Sequence, residues 1–183
     1  MIILASNSPI RAKLLQKFGI SFIQKPLDFD EDSLQTTIPQ NFAYLATMGK
    51  YKKALQNFGY QTPILAADTV VSVAGILQRK AKNKIQAQSY LESQSNQTIE
   101  IITCMMYRTT KLEFIDISST RYQLKNFDKK HLHNYLASKE WMGKAGCVMI
   151  EGFHKSYIKS QTGLESTALG LSIEKILPFL EII

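Results

Sequence analysis

The sequence predicts an α/β domain: a mixed β-sheet with flanking helices, arranged as two lobes around a central cleft. Three observations carry this. Ile64-Leu65-Ala66-Ala67-Asp68-Thr69-Val70-Val71-Ser72-Val73 is a nearly continuous apolar run between Pro63 and Gly75, the pattern of a strand buried on both faces. Ile2-Ile3-Leu4-Ala5 is a short apolar strand that enters a helix within a few residues. Strand-like and helix-like segments then alternate along the rest of the chain.

The elements follow in order. After Ile2–Ala5, Ser8 can cap a helix and Pro9 fits its first position, where no amide donor is needed. Ile10, Leu14, Leu15 and Phe18 recur at helical spacing, and Gly19 is a stop. An extended piece surrounds Phe22-Ile23, and an acidic stretch runs from Asp28 to Asp32. A helix is predicted from about Asn41 to Phe58, ended by Gly59, and another around Lys84 to Leu91. Thr98 to Tyr107 and Leu112 to Leu124 read as strands joined by a hairpin turn at Arg108-Thr109-Thr110-Lys111. Asp128 can cap a helix through about Ala137, glycines crowd the segment from Gly143 to Gly170, and a last helix is predicted over Ser172 to Leu180. No linker splits the chain, so residues 1–183 are read as one domain.

With 183 residues, 45% of them hydrophobic, the chain can bury an ordinary core. No apolar run is long enough to cross a bilayer, and the N-terminus lacks a signal-peptide pattern. Cys104 and Cys147 lie in apolar stretches without metal-ligand spacing, which fits a reducing cytoplasm and buried packing roles. The net charge of +7 favours anionic partners without naming one. Its densest cluster runs from Arg79 to Lys84, within which Lys82 and Lys84 read as solvated.

The first strand-turn-helix carries the clearest chemistry. A capped helix N-terminus collects free N–H groups and a positive dipole end. Ser6, Ser8 and Arg11 surround it, and a phosphate is the simplest ligand. Asp68 is the second signal, because a carboxylate inside a buried strand is costly unless it is paired, hydrogen-bonded or metal-bound. Near a metal-bound substrate it could act as a general base. One carboxylate of the stretch from Asp28 to Asp32 could share a divalent ion with the substrate; the rest reads as a solvated loop. Lys50 shares a helical row with Ala46 and Ala54, so it is either a cleft lysine or a surface one. Lys80 could fold back over Asp68 through the turn at Gly75, although taken alone it reads as a surface lysine. His131 and His133 would face different sides of their helix, His154 is a weak ligand candidate, and Trp141 reads as packing. No P-loop, Rossmann fingerprint or Ser-His-Asp signature is present.

The segments LASNSPIRAKLL, AADTVVSVAG, KAGCVMIEG and ALGLSIEKIL, in this order, resemble the Maf (septum-formation-inhibitor-like) family. The resemblance spans almost the whole chain. It implies a two-lobed mixed α/β fold similar to the inosine triphosphate pyrophosphatases. It also implies hydrolysis of nucleoside triphosphates to monophosphate and pyrophosphate with a divalent cation, Mg²⁺ or Mn²⁺. By the same resemblance Asp68 matches the catalytic acid, Ser6 and Arg11 the phosphate-gripping motif, Glu31 the loop glutamate, Lys50 the helix lysine and Lys80 the lysine of a GKP-like segment. Glu31 and Asp68 are the expected metal ligands, with Ser8 and Thr69 among the substrate-binding residues. A homodimer is also implied.

This chain departs from the family pattern at named positions. Ile10 stands where the pyrimidine-selective branch has the first arginine of SPRR, and Glu151 where that branch has glutamine, while Thr69 matches it. A second branch, acting on 7-methyl-GTP, has an apolar residue and a glutamate at the first two positions but glutamine in place of Thr69. An ionised glutamate only accepts hydrogen bonds, whereas glutamine also donates. Glu151 is therefore expected to shift preference away from dTTP and UTP, towards a guanine-type or modified base. Lys50 sits one residue further along than in the usual LA-x-x-K, Ala81 replaces a proline, Ser172 replaces another, and Ile99 replaces a histidine. The alternative to an enzyme is a non-catalytic nucleotide- or nucleic-acid-binding regulator linked to cell division. Nucleic acid is the less favoured ligand.

Overall fold

The computed structural model describes residues 1–180 of the chain. Its strands are β1 (Ile2–Ala5), β2 (Phe22–Gln24), β3 (Ile64–Val73), β4 (Ile76–Gln78), β5 (Thr98–Arg108), β6 (Glu113–Leu124) and β7 (Ile158–Thr162). They form one seven-stranded sheet in the order β2-β1-β3-β5-β6-β7, with β4 pairing β3. β1 runs parallel to β2 and β3, and the other pairings are antiparallel, so the sheet is mixed as predicted.

Three of the helices begin at a side-chain cap that the sequence supplies. α1 (Pro9–Lys17) has Ser8 as N-cap, its hydroxyl accepting from the Arg11 N–H at 3.3 Å. α2 (Pro39–Phe58) starts two residues before the expected Asn41, because Pro39 fits the first turn as well as it ends the preceding loop. Phe42, Ala43, Ala46, Thr47, Tyr51 and Ala54 form its buried stripe. α3 (Lys84–Gln94) and α4 (Lys129–Ser138) are capped by Asn83 and Asp128. Single turns α5 (Glu165–Ala168) and α6 (Ile173–Ile176) follow. The helix predicted over Ser172 to Leu180 is corrected here: after α6 the chain continues as a 3₁₀ turn, Leu177–Phe179. Pro178 has no N–H to carry an α-helical bond forward.

α1 and α2 pack on opposite faces of the sheet. Leu14 and Leu15 of α1 meet Leu65, Ala67, Met105 and Tyr107, whereas Tyr51 and Ala54 of α2 meet Ile64, Ala66 and Met106. A third cluster joins α2 to Val70, Ile102 and Cys104. The largest lies at the far end of β3 and β5, where Val71, Val73, Ile99 and Ile101 pack with Leu91, Tyr135, Trp141 and Phe153. Each additional Leu or Phe buried in such a cluster is worth about 1.5–3 kcal/mol. Cys104 and Cys147 are both free and buried, as expected.

Strand pairing opens the cleft. One edge of β3 is paired with β5 from Ile64 to Val73. The other is paired with β1 up to Ala66 and with β4 only from Val71. Ala67 to Val70 therefore face an unpaired gap just beyond the C-terminal end of parallel β1, where open α/β sheets place their ligands. The alternation of a strand sends Asp68 to the α2 face and Thr69 to the α1 face at this gap.

Candidate active site

A cleft of about 1150 Å³ lies at this gap. Asp68 is buried and its carboxylate contacts the Lys50 ammonium. Lys50 also donates to Glu31 Oε1 at 2.7 Å. Three segments thus converge on one ammonium: β3, the stripe of α2, and the 3₁₀ turn Glu31–Ser33 of the acidic loop. Lys50 is a cleft lysine. The acidic loop is seated by Phe29, whose ring lies so close to Gly49 that a Cβ there would come within 2.2 Å of it. Gly49, next to Lys50, thereby sets the approach of Glu31.

Burial pushes the Asp68 carboxyl above the usual aspartate range, opposed by Lys50 and Arg11. At Glu31 burial also pushes upward, but Lys50, Lys80 and Arg79 outweigh it and hold the carboxyl below its ordinary value. Two carboxylates facing one cation therefore differ in basicity. The deeper one is the better proton acceptor, which suits a general base.

The other wall is the first turn. Arg11 is buried and uses three of its five N–H donors within the protein: Nη1 donates to Ser6 Oγ at 2.9 Å, Nε to the Gly170 carbonyl at 2.8 Å and Nη2 to Thr69 Oγ1 at 2.9 Å. The Thr69 and Thr103 hydroxyls lie 2.9 Å apart, and Thr103 donates to the Thr167 carbonyl at 2.7 Å. The Gln24 amide donates to the carbonyls of Ser6 and Ser8, pinning the turn. Gly170 has a positive φ of 101°, and a Cβ there would come within 3.1 Å of Arg11 Nε. The Ser8 hydroxyl is the helix cap, so it shapes this wall through the backbone.

The residues expected to carry catalysis and substrate binding all line this one cleft: Ser6, Ser8, Ile10, Arg11, Glu31, Lys50, Asp68, Thr69, Lys80 and Glu151. Lys80 is exposed, as its surface reading expected, yet it lines the cleft with its ammonium 3.5 Å from Glu31, and its backbone bridges to Ala145. Lys82 is solvated as expected, yet it lies on the cleft rim 3.7 Å from Asp32. Sequence reasoning missed Arg79, Asp32, Thr103 and Gly170. Arg79 and Asp32 left traces, as the start of the basic cluster and the end of the acidic stretch.

His154 does not reach the cleft. It is fully buried; Nδ1 accepts from the Met149 N–H at 3.1 Å, and Nε2 meets Gln94 Oε1 at 2.8 Å. Burial lowers its pKa to about 3, so it stays neutral. Trp141 is packed as expected, its indole N–H donating to the Leu136 carbonyl at 3.2 Å.

A metal would find two hard carboxylates here, Glu31 and Asp68, converging on Lys50. No group of three or more His, Cys, Asp or Glu side chains is arranged for a metal among the described residues. That donor set fits Mg²⁺ or Mn²⁺ sharing its remaining positions with substrate phosphates and water, and does not fit a structural zinc.

Fold and cleft together define a mixed α/β protein with a cation-lined site built around a buried carboxylate. The family model for "Maf-like protein" matches residues 1–183, and the chain belongs to that family. A protein of Nitratiruptor sp. named nucleoside triphosphate pyrophosphatase is 47% identical over 178 residues, covering 96% of each chain. Proteins of the same name from Helicobacter pylori and Campylobacter jejuni are 46% and 34% identical, covering 99% and 98% of this chain and 95% and 100% of their own.

Proposed function

We propose that this enzyme hydrolyses a nucleoside triphosphate to the monophosphate and pyrophosphate. The observation that carries the reading is the buried Asp68 held by Lys50 at the gap in β3, facing a cleft lined by Arg11, Arg79 and Lys80. The shared name of full-length relatives supports it.

The triphosphate enters along the cationic wall. Asp68 takes a proton from a water, and the water oxygen forms its bond to the α-phosphorus. The α–β anhydride bond breaks and pyrophosphate leaves with the electron pair. Lys50 and Lys80 stabilise charge developing on the phosphate oxygens. Lys50 also holds Asp68 and Glu31 in place. Arg11, braced by Ser6, Thr69 and Gly170, fixes the turn beside the reacting phosphate. Mg²⁺ or Mn²⁺ on Glu31 and Asp68 would supply Lewis-acid neutralisation of the phosphate charge.

Ile10 and Glu151 are assigned to base selection, the exposed Glu151 carboxylate accepting from the paired N–H donors of a guanine-type base. Turnover of dTTP, UTP, GTP and 7-methyl-GTP tests this, and a clear preference for dTTP and UTP rejects it. The two buried free cysteines support a cytoplasmic setting. No helix among the described residues is long and apolar enough to cross a membrane. We read residues 1–183 as one catalytic domain; its homodimer is checked by sedimentation.

A binding-only regulator would not need a carboxylate desolvated beside a lysine, since that arrangement costs stability without adding affinity for an anion. Separation of products with Mg²⁺ or Mn²⁺ tests the activity. Pyrophosphate with monophosphate is expected, whereas stepwise orthophosphate or no turnover rejects it.

A further inference from the structure

The acidic loop and the segment after β4 are joined by ion pairs graded in depth. Side-chain exposure rises from 7% at Asp68 through 19% at Glu31 to 61% at Asp32. The cations facing them, Lys50, Arg79, Lys80 and Lys82, become more exposed in the same order. Such a ladder of positive charge, running from a buried centre to solvent, has the form of a track for a chain of phosphates.

Arg79 is its least explained member. Its guanidinium lies 4.6 Å from the Phe42 ring centroid, which fixes its plane. Nη1 reaches Asp32 Oδ1 at 2.7 Å and Nη2 is 3.8 Å from Glu31. Nε is buried and has no hydrogen-bond partner. A buried donor left unpaired is costly, and a preformed arginine fork matches phosphate oxygens. The exposed partner, Asp32, is held by Arg79 and by the more distant Lys82.

We propose that Arg79 binds the outgoing end of the polyphosphate, and that Asp32 is a placeholder carboxylate which the phosphate displaces. The assignment deepens the pyrophosphatase reading and rests on it for the identity of the ligand. Arg79 lies on the solvent side of Asp68 and Glu31, further along the graded row of cations than Lys50. Asp32 keeps the guanidinium neutralised while the cleft is empty. Phe42 holds the plane while the partner is exchanged.

Calorimetric binding of inorganic pyrophosphate to the full chain, in Mg²⁺ buffer, tests this, with a nucleoside monophosphate as the comparison ligand. Arg79→Ala should weaken pyrophosphate by about 10-fold or more and leave the monophosphate nearly unchanged. Arg79→Lys keeps the charge and loses the fork, so it should fall between. Asp32→Asn should tighten pyrophosphate by about 2–5-fold, since a competing exposed carboxylate is gone. If Arg79 merely tethered the acidic loop, Arg79→Ala and Asp32→Asn would break the same contact and shift affinity in the same direction. Shifts in the same direction, or unchanged pyrophosphate affinity in both arginine variants, overturn the proposal. Should Arg79→Ala not fold, Arg79→Lys and Asp32→Asn still give the required opposite signs. Binding is read without turnover, so an enzyme that released no pyrophosphate from nucleotides would reject the functional reading through a different measurement.

Discussion

Two polar clusters are buried beside β3, and they are built on opposite terms. In the cleft, Glu31, Lys50 and Asp68 are charged, short of neutral partners and open to solvent on one side. Beyond the β4 end of the sheet, Gln78, Gln94 and His154 are neutral and closed in. Gln94 donates to Gln78 Oε1 at 2.8 Å and to the Gly146 carbonyl at 2.7 Å, and its own Oε1 meets His154. The second cluster is what burial alone selects: amides and a neutral imidazole with their bonds made. The first keeps charge where burial opposes it, and such sites are where chemistry concentrates. On the proposed reading, the difference separates a group that acts on a ligand from one that holds a loop in place, even though both contain titratable side chains.

The largest expected effect breaks the charged cluster chemically. Asp68→Asn should lower the rate of pyrophosphate release by about 10³-fold while the circular-dichroism spectrum stays native. Activity near that of the unaltered enzyme would remove Asp68 from the chemistry. Lys50→Met leaves two carboxylates without their common cation, so urea unfolding should show a loss of about 3 kcal/mol together with lost activity. His154→Ala sharpens the contrast. It should cost about 2–4 kcal/mol, leaving Gln94 Oε1 and the Met149 N–H unpaired, while kcat of the folded fraction stays near that of the unaltered enzyme.

A smaller effect separates the clusters by pH. His154 has a folded pKa of about 3 against an ordinary 6.5, so below pH 6.5 the unfolded chain binds a proton that the folded chain does not. Stability contributed by the neutral ring is complete above pH 6.5 and is lost as pH falls towards 3. Between pH 7 and pH 5 this amounts to about 2 kcal/mol. Unfolding curves at the two pH values should differ by that much, and His154→Gln should remove this contribution.

Much of this arrangement was legible in the chain. Asp68 stood out because it interrupts an apolar strand, and the cap at Ser8 with Pro9 marked the turn that forms one wall of the cleft. Lys50 was ambiguous from spacing, since Ala46 and Ala54 give its row without saying what faces it. Arg79 with Asp32 was not legible: the pair joins segments far apart in sequence, and neither residue breaks a local pattern. β7 was missed for a related reason. Its Lys-Ser-Gln residues are exposed, and it is a strand because its backbone pairs with β6. Pro178 did mark the end of α6, and the predicted helix to Leu180 ran through a signal that was present.

The most direct test of the central claim, that water attacks the α-phosphorus and pyrophosphate leaves, is hydrolysis of a nucleoside triphosphate in ¹⁸O-water followed by mass spectrometry of both products. The account predicts the label in the monophosphate and none in pyrophosphate. Label in pyrophosphate, or in released orthophosphate, would contradict it.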